Sequence, residues 1–260
     1  MTKLSIQKFN PATMVPNCVI LLVAKRNSGK STLMKDLMFH MRSKLDFGLA
    51  MSATEESNET FSSYIPKSCI YNEFSAGALD MMIKMQKQNV KKGKFKQLYL
   101  LMDDLAYDKK ILQNTNMRQL MYNGRHAKIT FAFSVQYLVD FPSSYRSQVD
   151  YVFCLRDNVV TSKEKLWKFF FGMFQDFRDF NKTFTACTEG YDCMVLDNTI
   201  KSNNITDCVF WYRAEPSLPR FKLGRQVFWD LDDRFYKDRE DDDAQTGAIQ
   251  KVGATALIRR

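Results

Sequence analysis

The chain has 260 residues, of which 45% are hydrophobic and 26% charged, enough to build a full core and too apolar for a disordered tail or a fibrous repeat. Lys and Arg outnumber Asp and Glu by 38 to 29, a net charge of +9. Asp230–Asp243 holds eight acids and three bases, so the other 246 residues carry +14, a balance that fits a polyanionic partner such as nucleic acid.

Apolar runs alternate with helical patterns through the first 155 residues. Strands are expected at Cys18–Val23, Phe47–Met51, Leu98–Met102, Ile129–Val135 and Tyr151–Leu155. Helices are expected at Ser31–Lys44, Gly77–Lys92 and Asn114–Asn123. Strands apolar on both faces and separated by helices predict an α/β fold, a mostly parallel sheet covered on each side. Farther on, Lys163–Phe180 has helical spacing, with Trp167, Phe170, Phe174 and Phe177 on one face. A base-stacking stripe would look similar, but helix-spaced aromatics read as core. Tyr191–Leu196 and Asp207–Tyr212 alternate as a hairpin or as added edge strands. Residues 237–260 lack periodicity and aromatics, which predicts a mobile tail, or one that folds on a partner.

No apolar run approaches the roughly 18 residues of a membrane span, so neither a transmembrane segment nor a secretory signal is expected. The six cysteines are scattered, and neither histidine lies near the pair Cys187 and Cys193, so reduced, buried thiols are expected rather than a zinc site.

The first strand runs into Ala24-Lys25-Arg26-Asn27-Ser28-Gly29-Lys30-Ser31-Thr32 and then a helix. A phosphate-binding loop needs backbone N–H groups around the phosphates, a lysine on the β/γ-phosphates and a hydroxyl on Mg²⁺. Gly29 allows the turn, Lys30 is the cation and Ser31 the metal-side hydroxyl. Ala24 stands where a glycine is usual, at the close of the strand. A capped helix start would share part of this pattern; the strand–loop–helix setting favours a site for ATP and Mg²⁺.

Leu98–Met102 ends in Asp103 and Asp104. Beside such a loop the first carboxylate serves Mg²⁺ and the second can act as base toward the attacking water. Strand Ile129–Val135 ends in Ser134-Val135-Gln136, and an amide there can bond the γ-phosphate or its water, which makes Gln136 the expected sensor.

Together, Ala24–Thr32, Leu98–Leu105, Asn123–His126, Ser134–Gln136, Pro142–Arg146 and Phe221–Gly224 resemble the genome-packaging ATPases of large double-stranded DNA viruses, the poxvirus-type members of the FtsK–HerA superfamily. The resemblance covers residues 15–235 in order. It implies a RecA-like core, a ring homo-oligomer of five or six subunits, and ATP-driven translocation of double-stranded DNA into a preformed capsid. It also implies capsid or portal partners, a place in the virion and the host cytoplasm, and an arginine supplied by the neighbouring subunit. Arg146 is the first choice for that arginine and Arg125 the alternative. On this reading residues 1–236 form one ATPase domain, with motifs in 18–158 and an extension over 159–236.

Lys84, Lys87, Lys91, Lys92, Lys94 and Lys96 place six cations in thirteen residues, with no acid among them. A translocase must hold phosphates without reading bases, which such a segment suits; a solvated loop would look the same. Other classes are a cellular or plasmid translocase, a small-molecule or nucleoside kinase, and a nucleotide-gated binding protein. The last two leave Asp104 without a task.

Overall fold

A computed structural model describes residues 4–55, 59–94, 96–105, 109–138 and 141–236. The expectation for the tail at 237–260 lies outside them. The strands are β1 (Gln7–Lys8), β2 (Val19–Val23), β3 (Phe47–Ser52), β4 (Ile70–Tyr71), β5 (Leu98–Asp103), β6 (Ile129–Val135), β7 (Tyr151–Cys154), β8 (Asp192–Asp197) and β9 (Val209–Arg213). They form one sheet in the order β1-β9-β8-β7-β2-β6-β5-β3-β4. From β7 across to β4 every pairing is parallel; β8 is antiparallel to both β7 and β9.

The centre of this sheet is where the sequence is most apolar. All residues of β2, β5, β6 and β7 are buried, as expected of strands covered on both faces. Each large aliphatic side chain so buried contributes about 1.5–3 kcal/mol, so packing fixes β2 as a rigid post for the loop that follows.

The helices are α1 (Lys30–Met41), α2 (Ala76–Lys91), α3 (Lys109–Gln113), α4 (Thr115–Asn123), α5 (Ser143–Arg146), α6 (Val160–Phe170), α7 (Phe177–Cys187) and α8 (Ile205–Cys208), with a further helix at 226–236. Asn114, expected as the first residue of a helix, is instead the cap of α4; its side chain accepts from the Asn116 N–H.

The single helix expected over Lys163–Phe180 is two. It ends at Phe170, and the chain restarts at Asp176, whose carboxylate accepts the Asp179 N–H. Gly172 weakens helical continuity and Asp176 is a strong start signal; together they outweigh the continuous aromatic spacing. The aromatics do pack: Phe170 and Phe174 are buried, and the Trp167 indole N–H donates to the Phe174 carbonyl.

β8 and β9 extend the sheet beyond β7, and the outermost place falls to β1, paired in parallel with β9. All six cysteines are buried and free. No helix among the described residues is long and apolar enough to cross a membrane.

Candidate nucleotide-binding site

β6 pairs in parallel with both β2 and β5, with Val23 opposite Val135 and Met102 opposite Phe133. The loop after β2, the Ser134–Gln136 tip and the acidic pair therefore share one edge of the sheet, as the motif order predicts.

Ala24 is buried and its N–H donates to the Val135 carbonyl at 3.1 Å, so this residue still continues the strand. It is not among the residues with positive φ, and the usual glycine is not needed there. The turn is made by Asn27 and Gly29, at φ 59° and 91°. Ser28 closes it by donating to the Lys25 carbonyl at 2.6 Å. α1 starts directly after Gly29 without a side-chain cap. The free N–H groups of its first turn and the positive end of its dipole favour an anion here.

Lys30 and Asp103 are buried. The Lys30 ammonium lies 3.0 Å from the Asp103 carboxylate and 2.5 Å from that of Asp104. Asp103 also accepts the Ser134 hydroxyl at 2.5 Å, and Asp104 the Gln136 amide at 3.0 Å. The Asp104 N–H donates to the Ser134 oxygen at 3.2 Å, with the backbone at φ 53°. Burial alone would raise the Asp104 pKa; the bonds from Lys30 and Gln136 and the charges of Lys30 and Arg26 outweigh it, and the carboxyl sits below its ordinary value.

These groups border a cleft of about 720 Å³, within the range of small-molecule sites. Lys25, Arg26, Asn27, Gly29, Lys30, Ser31 and Thr32 form one wall, and Asp103, Asp104 and Gln136 another. Lys25 is tied to Asp157 at 2.7 Å, so it faces a carboxylate as well as the cleft. The cleft also takes in Ala53, Thr54 and Tyr137, residues without a motif to flag them. Ser134 is the residue whose part was missed: a buried serine says nothing until the neighbouring strand sets Asp103 against it.

The donors suit magnesium. Mg²⁺ is commonly held by one or two carboxylates together with substrate phosphates, and Ser31 and Asp103 offer hard oxygens beside the anion-binding loop. Among the described residues no group of three or more His, Cys, Asp and Glu forms a metal cage of its own.

Other expected residues lie elsewhere. Arg125 pairs at 2.5 Å with Asp150, which also accepts the Val19 N–H at the start of β2. This is the opposite end of the sheet. Arg146 covers the Phe169 ring at 3.3 Å from its centroid and donates to the Phe141 carbonyl; its Nε is buried without a hydrogen-bond partner. Neither arginine lines the cleft of its own chain. The six lysines run from α2 to the start of β5. Lys84 and Lys87 lie within the helix, while Lys91, Lys92, Lys94 and Lys96 lead into the far end of the strand, about 20 Å from its acidic tip at 3.3 Å per strand residue. Lys84 pairs with Asp80, one turn earlier on α2, while Lys87, Lys91, Lys92 and Lys94 are exposed and Lys96 half-buried.

Residues 8–168 match the model of the family described as Poxvirus A32 protein. The chain belongs to that family. Relatives of this Poxvirus A32-type chain include a protein of Acanthamoeba polyphaga mimivirus, 32% identical over 90% of this chain and 85% of its own. One from Invertebrate iridescent virus 3 is 31% identical over 83% of this chain and 85% of its own. The genome-packaging NTPase of Sulfolobus turreted icosahedral virus 2, in complex with ATP-γ-S, has the same fold. It aligns with a TM-score of 0.56 and 17% identity over 79% of this chain and 100% of that one. The DNA-packaging ATPase of Sulfolobus turreted icosahedral virus gives 0.54 and 15% over 79% and 100%. The expected α/β core and the poxvirus-type resemblance are both borne out.

Proposed function

We propose that this A32-family chain is the ATP-hydrolysing subunit of a viral genome-packaging motor that drives double-stranded DNA into a capsid. One observation carries the reading: Lys30, Asp103, Asp104 and Gln136 converge at the tips of three adjacent strands beside a phosphate-binding loop. The family and the shared fold with viral packaging enzymes support the DNA task.

The roles follow from the contacts. N–H groups of Gly29–Thr32 hold the phosphates, and Lys30 exchanges its carboxylate partners for the β/γ-phosphates. Mg²⁺, held by Ser31 and Asp103, would neutralise charge on those phosphates. Asp104, relieved of Lys30, accepts a proton from water that Gln136 orients. Subunits form a ring at the site of virus assembly and touch capsid or portal components. A neighbour's arginine, Arg146 in the first instance, completes each site. The lysines from Lys84 to Lys96 hold the DNA backbone.

The test is ATP hydrolysis by the purified chain with and without duplex DNA. Turnover that duplex DNA stimulates supports the motor; turnover that depends on a small phosphate acceptor would make it a kinase.

A further inference from the structure

Tyr191 stands immediately before β8 and is 68% exposed. A tyrosine this open buries little of the 150–250 Å² that makes aromatic rings useful to a core. Its position is nevertheless specific. A Cβ placed on Gly29 would fall 3.2 Å from Tyr191 Cδ1, and 4.0 Å from Leu155 Cδ2, so the ring lies against the bare glycine of the phosphate-binding loop. Leu155 follows β7 and its N–H donates to the Val23 carbonyl, which places ring and leucine at the same sheet edge as the loop.

The sheet order sets a direction. Lys30 and Gln136 converge on Asp104, on the β6–β5 side of β2, so the terminal phosphate belongs there. β7 and β8 lie on the other side of β2. A nucleotide crossing the loop with its terminal phosphate toward β5 carries its base toward β7 and β8, where Tyr191 stands. Tyr137, 66% exposed, lines the cleft itself but follows Gln136, on the phosphate side, whereas Tyr191 stands just outside the lining, across Gly29.

We propose that Tyr191 is the platform on which the base of the bound nucleotide stacks. This rests on reading the cleft as a nucleotide site. Stacking on an aromatic ring uses the π face common to all bases, so it adds affinity without reading the base.

The experiment separates base from phosphates. Wild-type chain, Tyr191→Ala and Tyr191→Phe are titrated by calorimetry with ATP and, separately, with inorganic tripolyphosphate, both with Mg²⁺. Tyr191→Ala should bind ATP roughly tenfold or more weakly, as loss of one stacked base requires. Its affinity for tripolyphosphate, which also reports an intact loop, should be unchanged, and Tyr191→Phe should bind both as the wild type does. Equal losses for both ligands would make Tyr191 a support for the loop and overturn the proposal, as would no loss for either. A loss of ATP affinity in Tyr137→Ala but not in Tyr191→Ala would put the base on the other side. A wild-type chain that binds neither ligand would bring down the nucleotide site itself, and this inference with it.

Discussion

The Lys30 ammonium and the Asp104 carboxylate are 2.5 Å apart, and Asp103 shares the same cation at 3.0 Å. One lysine thus compensates two acids, and the proposed base is held ionised by the group meant to receive the phosphates. Lys30→Ala should abolish hydrolysis, weaken nucleotide binding and raise the Asp104 pKa. Asp104→Asn should keep Mg·ATP binding, because Lys30, Asp103 and Ser31 are untouched, yet slow turnover by about 10²–10⁴-fold. Steady-state hydrolysis beside direct nucleotide titration tells the two apart. Normal turnover in Asp104→Asn would place the base elsewhere.

Ser134 makes a sharper claim, since its hydroxyl donates to Asp103 and accepts from the Asp104 backbone. Ser134→Ala leaves one carboxylate oxygen short of a donor and one N–H short of an acceptor. Unfolding in urea should show a loss of about 1–3 kcal/mol, the cost of an unmade buried bond. The Mg²⁺ concentration giving half-maximal hydrolysis should rise, because Asp103 loses its orientation. A stability loss with an unchanged Mg²⁺ requirement would limit Ser134 to packing.

Asp36, fully buried in α1, accepts the Tyr212 hydroxyl and has His40 Nε2 at 3.7 Å. Burial pushes its pKa up, although Tyr212 and His40 pull the other way. A carboxyl raised on folding keeps more protons in the folded state, so its contribution is largest below the unfolded value and is lost as pH rises through the folded one. Urea midpoints of wild type and Asp36→Asn, followed from pH 7 down to 4, should therefore shift in favour of the wild type. A difference between the two chains that is independent of pH would rule out Asp36 as a titrating group in this range.

What the sequence revealed followed from local signals. β2 and β5 up to Met102 are unbroken apolar runs, and β6 is apolar but for Thr130 and Ser134. Asp103 ends β5, Gln136 follows β6 and Lys30 follows β2 across the loop, so topology alone brings them together. What it concealed depends on partners distant in sequence. The tasks of Ser134 and Tyr191 come from Asp103 and Gly29, on other elements. β1 and β4 have two residues each and no pattern to read. The break after Phe170 was marked by Gly172 and Asp176, but the aromatic spacing ran straight across both.

The lysine segment lies far from the cleft, so it should act on DNA and not on chemistry. Replacing Lys91, Lys92, Lys94 and Lys96 with Gln should weaken duplex binding for all sequences alike. The slope of log K against log salt should flatten by roughly 0.9 for each phosphate contact removed. DNA stimulation of hydrolysis should fall with affinity. An unchanged slope would return these residues to a solvated loop.

Arg146 is held by stacking on Phe169 and by the Phe141 carbonyl, so it does not serve its own cleft. If it completes a neighbour's site, Arg146→Ala subunits should bind ATP normally, since their own Lys30, Asp103 and Gln136 remain. Assembled only with one another, they should fail to hydrolyse it, because a trans arginine is worth about 10³–10⁵ in rate. The defect then belongs to the interface and can be complemented. Mixed with Lys30→Ala subunits, they should regain activity, because a Lys30→Ala subunit keeps the arginine that its Arg146→Ala neighbour's intact loop requires. An arginine acting within its own chain permits no such rescue, since neither subunit then owns a complete site. Light scattering should confirm assemblies of equal size, and urea midpoints should show that loss of the Phe169 contact has not unfolded the variant. Without rescue under conditions of subunit exchange, Arg146 would be left with packing alone. Arg125, 64% exposed despite its bond to Asp150, would then be the arginine to exchange.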